Sequence, residues 1–304
     1  MEVARSRLTE ALLISSYDLQ HSRLPAIDEL LGGKHHESIY SGPKLLLIDS
    51  GGYELDEAWS PDDLIRENWS PKPFTATDHE KVVDCLPDDL DIMVVSFDHM
   101  ANSEKRTDYR CQVEAATRFF EGRPRMMSDF LIRPPGRNRY VDASEIGSLG
   151  DALGHFDAIG LTEKEAGDSV FSRLVTIAAL RQHLDSAGVD APIHVFGVLD
   201  PLLVTLYFVA GAELFDGLTW LRFGVHAGIS VYAESWAVLA NSEHMSTELR
   251  GAMAQLGFLD HLRQLKRQLV SFVESEGDEG CFEHGAEEVA RIRWQLREEL
   301  NGGI

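Results

Sequence analysis

The sequence has few cysteines, few basic residues and no long apolar run. Its three cysteines, Cys85, Cys111 and Cys281, are far apart along 304 residues, which favours a reducing compartment over a disulfide scaffold. No run approaches the roughly 20 apolar residues that span a bilayer. The first residues also lack the apolar core of a signal peptide. We therefore expect a cytoplasmic protein.

The shortage of basic residues limits the classes of partner. Asp and Glu number 50 against 28 Lys and Arg, which gives a formal net charge of −22. A protein that holds a nucleic acid alone normally presents a basic face to the phosphates. A nucleic-acid role therefore requires a local basic patch or a partner subunit, and both a homodimer and a heteromer stay open. For most of the acids, solubility is the simpler explanation.

Apolar runs alternate with amphipathic stretches along the chain, the pattern of parallel βα units. Eight strands are predicted: 11–15, 44–49, 91–98, 127–132, 156–161, 193–198, 214–216 and 229–233. Eight strands favour a TIM (β/α)8 barrel, and with no linker in view we expect a single domain over 1–304, with its barrel at about 10–245.

Two additions to the barrel are predicted. The segment 55–77 contains Trp59, Trp69, Phe74 and three prolines directly after the second strand. It is interpreted as a lid, as a partner-binding surface or as a locally packed excursion. Two amphipathic helices, about 247–277 and 287–300, form a C-terminal extension.

Three predicted strands end in an acid. Asp49 follows Leu45-Leu46-Leu47-Ile48 and precedes Ser50-Gly51-Gly52-Tyr53, while Asp98 and Asp216 each follow a Phe at a strand end. In a β/α barrel the carboxyl ends of the strands form the rim where catalytic groups collect. The Gly-Gly turn lets backbone approach a ligand closely, because glycine has no Cβ. A lone Asp after a strand is more often a helix N-cap.

Carboxylates at one rim suit chemistry at a sugar carbon that passes through positive charge. One carboxylate attacks or stabilises the oxocarbenium-like centre while another exchanges protons with the leaving group. Crowding of the carboxylates would push their pKa values apart, so that one can stay protonated.

The motifs as a set resemble the tRNA-guanine transglycosylase family, the queuine and archaeosine ribosyltransferases. The resemblance covers about residues 44–220 and is carried by Asp-Ser-Gly-Gly-Tyr at 49–53, Ser-Phe-Asp at 96–98, and the blocks 192–201 and 211–216. It implies a TIM barrel that exchanges guanine for a 7-deazaguanine without cleaving the polynucleotide.

The resemblance also implies roles for individual residues. Asp216 would be the nucleophile at the anomeric carbon, Asp49 the general acid/base, and Asp98 a hydrogen-bonding partner of the base. Tyr53 and Phe196 would stack on the base from its two sides, a contact of about 1–3 kcal/mol per base. The other substrate-binding positions implied are Ser50, Gly51, Gly52 and Gly197.

The chain departs from the family pattern in several places. Glu54 stands where the family has glutamine, Phe130 to Gly136 replaces its glutamine-containing fourth-strand motif, and Ile159 to Glu165 replaces its Gly-Gly-Leu loop. The identity of the base therefore does not carry over. No cofactor is implied. The zinc subdomain is missing too, since only Cys281 follows Asp216 and its spacing from His284 is coincidental. We expect a substrate other than ordinary tRNA alone.

The best basic patch lies around the fourth strand. It comprises Arg123, Arg125, Arg133, Arg137 and Arg139. We take Arg133, Arg137 and the later Arg222 as candidates for phosphate contact, against a solvated or ion-paired loop.

Three functions are compatible with these features. The leading hypothesis is a base-exchanging or base-releasing enzyme that acts on a nucleic acid or nucleotide with a partner's help. The zinc-free form fits relatives in DNA modification or anti-phage defence. The second is a catalytically silent relative that scaffolds or binds nucleic acid in a heteromer, which the three aspartates disfavour. The third is an unrelated barrel glycosidase, which the stacking aromatics disfavour.

Overall fold

The computed structural model describes residues 10–22, 27–32, 40, 42–52, 72–97 and 107–302. They form two compact units. The first unit runs to Arg137 and takes in His155–Ala158, and the second comprises Asn138–Gly154 and the chain from Ile159 onwards.

Four parallel strands form the sheet of the first unit, in the order of the chain. They are β1 (Ala11–Ser15), β2 (Leu45–Asp49), β3 (Ile92–Val95) and β4 (Met127–Ile132). Parallel neighbours need crossover connections, and helices occur between these strands. These helices are α1 (Ser16–Gln20), α2 (Ile27–Leu31), α3 (Ala76–Asp84) and α4 (Tyr109–Glu121).

Helices cover one face of this sheet. Ile48 of β2 and Val94 of β3 pack in one hydrophobic cluster with Leu30 of α2 and Val83 of α3. Successive side chains of a strand point to opposite faces. Asp49, which directly follows Ile48, therefore points to the other face of the sheet.

Three further strands pair in parallel in the second unit, again in chain order. They are β5 (Ala158–Thr162), β6 (Ile193–Phe196) and β7 (Leu214–Phe215), with helices α5 (Ala143–Gly147), α6 (Val170–Ser186) and α7 (Pro201–Val209). The carboxylate of Asp200 accepts hydrogen bonds from the N–H groups of Leu202 and Leu203, and Pro201 begins α7. Asp200 is therefore the N-cap of this helix, with proline at its first position.

The eighth predicted strand does not pair as expected. After the short helix α8 (Thr219–Arg222), β8 (Phe223–His226) pairs antiparallel with β9 (Ile229–Tyr232). The two residues of the turn, Ala227 and Gly228, have φ of 49° and 76°. Positive φ at both turn residues matches the twist of a tight hairpin. The prediction of 229–233 as a parallel barrel strand is therefore wrong in its pairing.

The C-terminal helices agree with the prediction. After α9 (Ala233–Leu239) come α10 (Thr247–Glu274) and α11 (Ala286–Gly302). Short 3-10 turns occur at Gly150–His155, Glu163–Glu165 and Glu279–Cys281. Among the described helices, none has the length and apolar character that crossing a bilayer would require.

The mixed α/β class and the parallel pairing of β1 to β7 confirm the coarse fold prediction. The insertion at 55–77 lies outside the described residues up to position 71, so its role as a lid or binding surface stays a prediction. The single-domain organisation likewise stays a prediction.

Candidate active site

Asp49 lies at the carboxyl end of β2, as the sequence predicts. It is level with Ser15 of β1 in the parallel ladder and is partly exposed. Its Oδ2 accepts a hydrogen bond from the N–H of Gly51 at 3.1 Å. Ser50 is buried, and its Oγ accepts from the N–H of Gly52 at 3.4 Å. The sequence Asp-Ser-Gly-Gly thus folds into a turn that its own side chains stabilise.

Gly51 has a packing role in this turn. Its φ is +84°, and an added Cβ would lie 2.8 Å from the Cβ of Tyr17 and 3.2 Å from the ring of Phe74. Tyr17 and Phe74 contact each other edge to face, with centroids 5.6 Å apart. The Tyr17 hydroxyl accepts a hydrogen bond from the N–H of Lys72 at 2.8 Å. The side chains of Tyr17 and Phe74 pack into the space that a Cβ of Gly51 would fill. Close approach of a ligand to Gly51 stays a prediction.

The sequence reasoning missed a second acid on this sheet, Asp129. It lies within β4, opposite Val95 of β3, and is fully buried. Ile48 pairs with Val94, so Asp49 is level with Val95. Asp49 and Asp129 therefore share one face and one level of the sheet, two strands apart. The sequence signal for Asp129 is an acid within an otherwise apolar strand. Such an acid is expected to be buried, and a fully buried acid is almost always paired.

Two of the predicted base-binding residues lie outside the described part of the chain. These are Tyr53 and Asp98, and their roles stay predictions. The structure describes β3 up to Val95 and then Ser96 and Phe97. Ser96 is buried, and its Oγ accepts a hydrogen bond from the N–H of Leu131 at 3.0 Å.

Asp216, the predicted nucleophile, directly follows β7 in the second unit and is partly exposed. Its Oδ1 accepts a hydrogen bond from the N–H of Gly197 at 3.0 Å. Gly197 directly follows β6, has φ +86° and is exposed. Within the described residues, an added Cβ there would meet no heavy atom within 4 Å. The carboxylate is thus anchored by the residue that follows the neighbouring strand, and the described residues leave open space beside Gly197.

A histidine that the sequence reasoning did not single out lies beside Asp216. His194 of β6 is 1% exposed, and its Nε2 is 3.6 Å from Oδ1 of Asp216. Its ring stacks on Phe196, with centroids 3.8 Å apart and planes 29° apart. One face of the Phe196 ring is therefore covered by His194, and the whole residue is only 8% exposed. Its contact with a base stays a prediction. A histidine in an apolar strand, two residues before an aromatic, is the signal for such a pair.

The acid that follows β5, Glu163, is engaged in internal contacts. Its Oε1 accepts hydrogen bonds from Nη1 of Arg173 at 2.7 Å and from the Tyr207 hydroxyl at 2.8 Å. Burial, and then the charge of Glu163, raise the pKa of Tyr207. Tyr207 therefore stays protonated and continues to donate. In contrast to Asp216, Glu163 has a structural role.

The predicted basic patch divides into two groups. Arg123 and Arg125 precede β4, and both are ion-paired. Arg123 donates to Asp84 at 2.8 Å, and Arg125 contacts Asp88 at 2.6 Å. Arg133 follows the carboxyl end of β4, where its backbone N–H and C=O bind the side chain of Gln112. The other two phosphate candidates, Arg137 and Arg222, are exposed. Exposed guanidinium groups after a strand or helix suit phosphate contact.

The chemistry available is that of carboxylates. Asp49 ends β2 in the first unit, Asp216 directly follows β7 in the second, and each is oriented by a backbone N–H. Within the described residues, no three His, Cys, Asp or Glu side chains cluster as a metal site would require. No protein-family model matches the chain, and no curated protein is significantly similar to it.

Proposed function

We propose that the protein is a transglycosylase of the tRNA-guanine transglycosylase type, which exchanges or releases a guanine or 7-deazaguanine base. The observation that carries the proposal is the Asp216 carboxylate. Its Oδ1 is held by Gly197, and within the described residues its Oδ2 accepts no hydrogen bond. A carboxylate with one anchored and one available oxygen, beside open space, is suited to nucleophilic attack.

The proposed reaction has two steps with Asp216 as nucleophile. An oxygen of Asp216 forms a bond to the anomeric carbon as the bond from that carbon to the base nitrogen breaks. Asp49 gives its proton to the departing base. In the second step Asp49 removes a proton from the incoming base, whose nitrogen displaces Asp216 from the sugar. Atoms and charges balance, and the polynucleotide backbone is not cut.

A planar base is supported by the surroundings of Asp216. Phe196, the aromatic residue that the resemblance assigns to stacking, ends β6, and Gly197 directly after it offers exposed backbone. Stacking of a base on an aromatic side chain contributes about 1–3 kcal/mol. Gly197 presents no side chain that would obstruct a flat ring.

The proposal includes a closed TIM barrel and a partner. It requires Asp49 and Asp216, which belong to different units, to act on the same sugar. The net charge of −22 disfavours unaided binding of a polyanion, so we propose that a partner subunit supplies most of the phosphate contacts. The zinc-free chain fits DNA modification or anti-phage defence as its setting.

A guanine-exchange assay tests the proposal. The wild type, D216N and D49N are incubated with labelled guanine and with tRNA or DNA, with and without co-purified partners. We expect incorporation by the wild type and a loss of more than about 1,000-fold in D216N. Asp190 is exposed and belongs to the same unit, so D190N is the matched control and should retain activity.

Two outcomes would contradict the enzymatic proposal. One is incorporation by D216N at the wild-type rate. The other is no incorporation by the wild type with any acceptor, while binding of nucleic acid is equal in wild type and D216N. The second outcome would instead support a silent binding subunit.

A further inference from the structure

His194 is held in a fixed orientation next to the proposed nucleophile. It is 1% exposed within β6, between Gly160 of β5 and Leu214 of β7 in the parallel ladder. Its ring lies against Phe196 at a centroid distance of 3.8 Å. A buried, stacked ring has little rotational freedom, so its nitrogen atoms have defined positions.

Within the described residues, two groups approach the Asp216 carboxylate, and both do so at the same oxygen. The N–H of Gly197 donates to Oδ1 at 3.0 Å, and Nε2 of His194 is 3.6 Å from that atom. A separation of 3.6 Å is longer than a hydrogen bond, and the contact is electrostatic. Hydrogen bonds in catalytic sites are often long in the free protein and shorten in the complex with substrate.

Two other acids near these strand ends contact other groups. Neither β5 nor β7 contains a titratable side chain. Glu163, after β5, binds Arg173 and Tyr207, and Glu213, before β7, lies 4.0 Å from Arg181. Asp216, which directly follows β7, is the acid whose contact with His194 is observed, at 3.6 Å.

We propose that His194 is a positioning residue that, together with Gly197, fixes Oδ1 of Asp216 and thereby presents Oδ2 to the anomeric carbon. The inference rests on the proposed function and deepens it by naming the attacking oxygen. The resemblance that led to Asp216 assigns no role to His194. A carboxylate free to rotate would present either oxygen in many orientations, and a misplacement of about 1 Å can slow a reaction by about 100-fold.

Nuclear magnetic resonance of the imidazole nitrogens tests the contact without any substrate. The His194 signals are assigned by their loss in H194Q and are followed against pH in the wild type and D216N. A neighbouring carboxylate stabilises the imidazolium form, so we expect the pKa of His194 to be lower in D216N than in the wild type. A His194 that is neutral throughout, with its proton on Nε2, would also support the proposal, because it donates toward Oδ1.

Two results of this titration would overturn the inference. One is an unchanged His194 pKa in D216N, and the other is a neutral ring that carries its proton on Nδ1 at every pH. Neither result depends on whether the protein exchanges bases.

The kinetic test uses two substitutions of His194. H194F keeps the stacked ring and removes both nitrogens, whereas H194Q keeps a donor. We expect the rate of sugar transfer to Asp216 to fall by about 100-fold in H194F, with substrate affinity unchanged and partial recovery in H194Q. His244, 97% exposed, provides the control H244F, and circular dichroism checks folding.

The kinetic outcomes separate the two proposals. A wild type that transfers no sugar argues against the proposed function. A wild type that reacts, with H194F reacting equally fast, argues against the role of His194 alone.

Discussion

The carboxyl end of β2 at Asp49 and the carboxyl end of β7 at Asp216 begin from the same sequence pattern and reach different environments. At both, an acid follows an apolar strand, and a glycine N–H donates to its carboxylate. Gly51 belongs to the same turn as Asp49 and is buried against Tyr17 and Phe74. Gly197 directly follows the neighbouring strand, β6, and is exposed. A similar pattern therefore gives a packed turn in one case and an open site in the other.

This difference teaches that an acid and a glycine near a strand end do not alone define a reactive site. What distinguishes Asp216 is the free space beside Gly197 and the contact with His194. What distinguishes Asp49 is a turn whose shape is fixed by packing. Substitutions at the two glycines separate these properties.

The largest effect on stability is expected for G51A. Alanine at φ +84° is strained by about 1–2 kcal/mol. Its Cβ would in addition lie 2.8 Å from that of Tyr17, so that the backbone must shift. We expect urea denaturation to show a loss of more than about 3 kcal/mol in the free energy of unfolding. A loss below about 1 kcal/mol would show that the turn is not packed as described.

A smaller loss of stability is expected for G197A, combined with a loss of function. The backbone strain is similar at φ +86°, but the described residues leave room for the Cβ. We expect a loss of about 1–2 kcal/mol in the free energy of unfolding. G136A, at φ +57° with equal room, is the matched control for strain.

The functional part of this prediction concerns the base. The Cβ that G197A adds would project into the space assigned to the base, so we expect weaker binding of guanine to G197A and unchanged binding to G136A. Equal guanine binding by G197A and the wild type would contradict the location of the base beside Gly197.

The smallest effect is expected at the helix that follows Phe74 in the first unit. Thr75 and Asp78 form a capping box at α3, with the Thr75 hydroxyl 2.7 Å from the Asp78 carboxylate. T75A should lower the free energy of unfolding by about 1 kcal/mol. The hydrogen bond from Thr75 lowers the pKa of Asp78.

The lowered pKa fixes the sign of the pH dependence. The carboxylate of Asp78 contributes stability above its unfolded pKa, near 3.8, and loses the contribution as the pH falls through its folded pKa. The difference between wild type and T75A should therefore shrink in acid. A difference that grows as the pH falls would contradict the capping role.

Much of the fold could be predicted from the sequence because apolar runs bounded by polar turns define buried parallel strands. The prediction of 11–15 and 127–132 agrees with β1 and β4 to the residue. The prediction that 229–233 is a parallel barrel strand is wrong because the turn Ala227-Gly228 pairs this strand with β8 in a hairpin. Alanine seldom adopts positive φ, so the residue pair gives a weak hairpin signal.

The candidate site could be predicted only in part. Asp49 and Asp216 follow from the acid at a strand end, a local pattern. His194 and Asp129 could not be found in this way, because their significance depends on strand register. Register brings together residues far apart in the chain, and no local pattern specifies it. A histidine or an acid inside a strand could equally have had a purely structural role.

The most direct test of the central claim is the intact mass of the protein after reaction with nucleic acid and no free base. Wild type and D216N are mixed with guanine-containing tRNA or DNA oligonucleotides, together with co-purified partners. The reaction is quenched in acid, and the intact mass is measured by mass spectrometry. We predict a covalent protein–nucleic acid species in the wild type with at least one acceptor, and none in D216N. Its absence from the wild type with every acceptor, or an equal amount in D216N, would contradict the account.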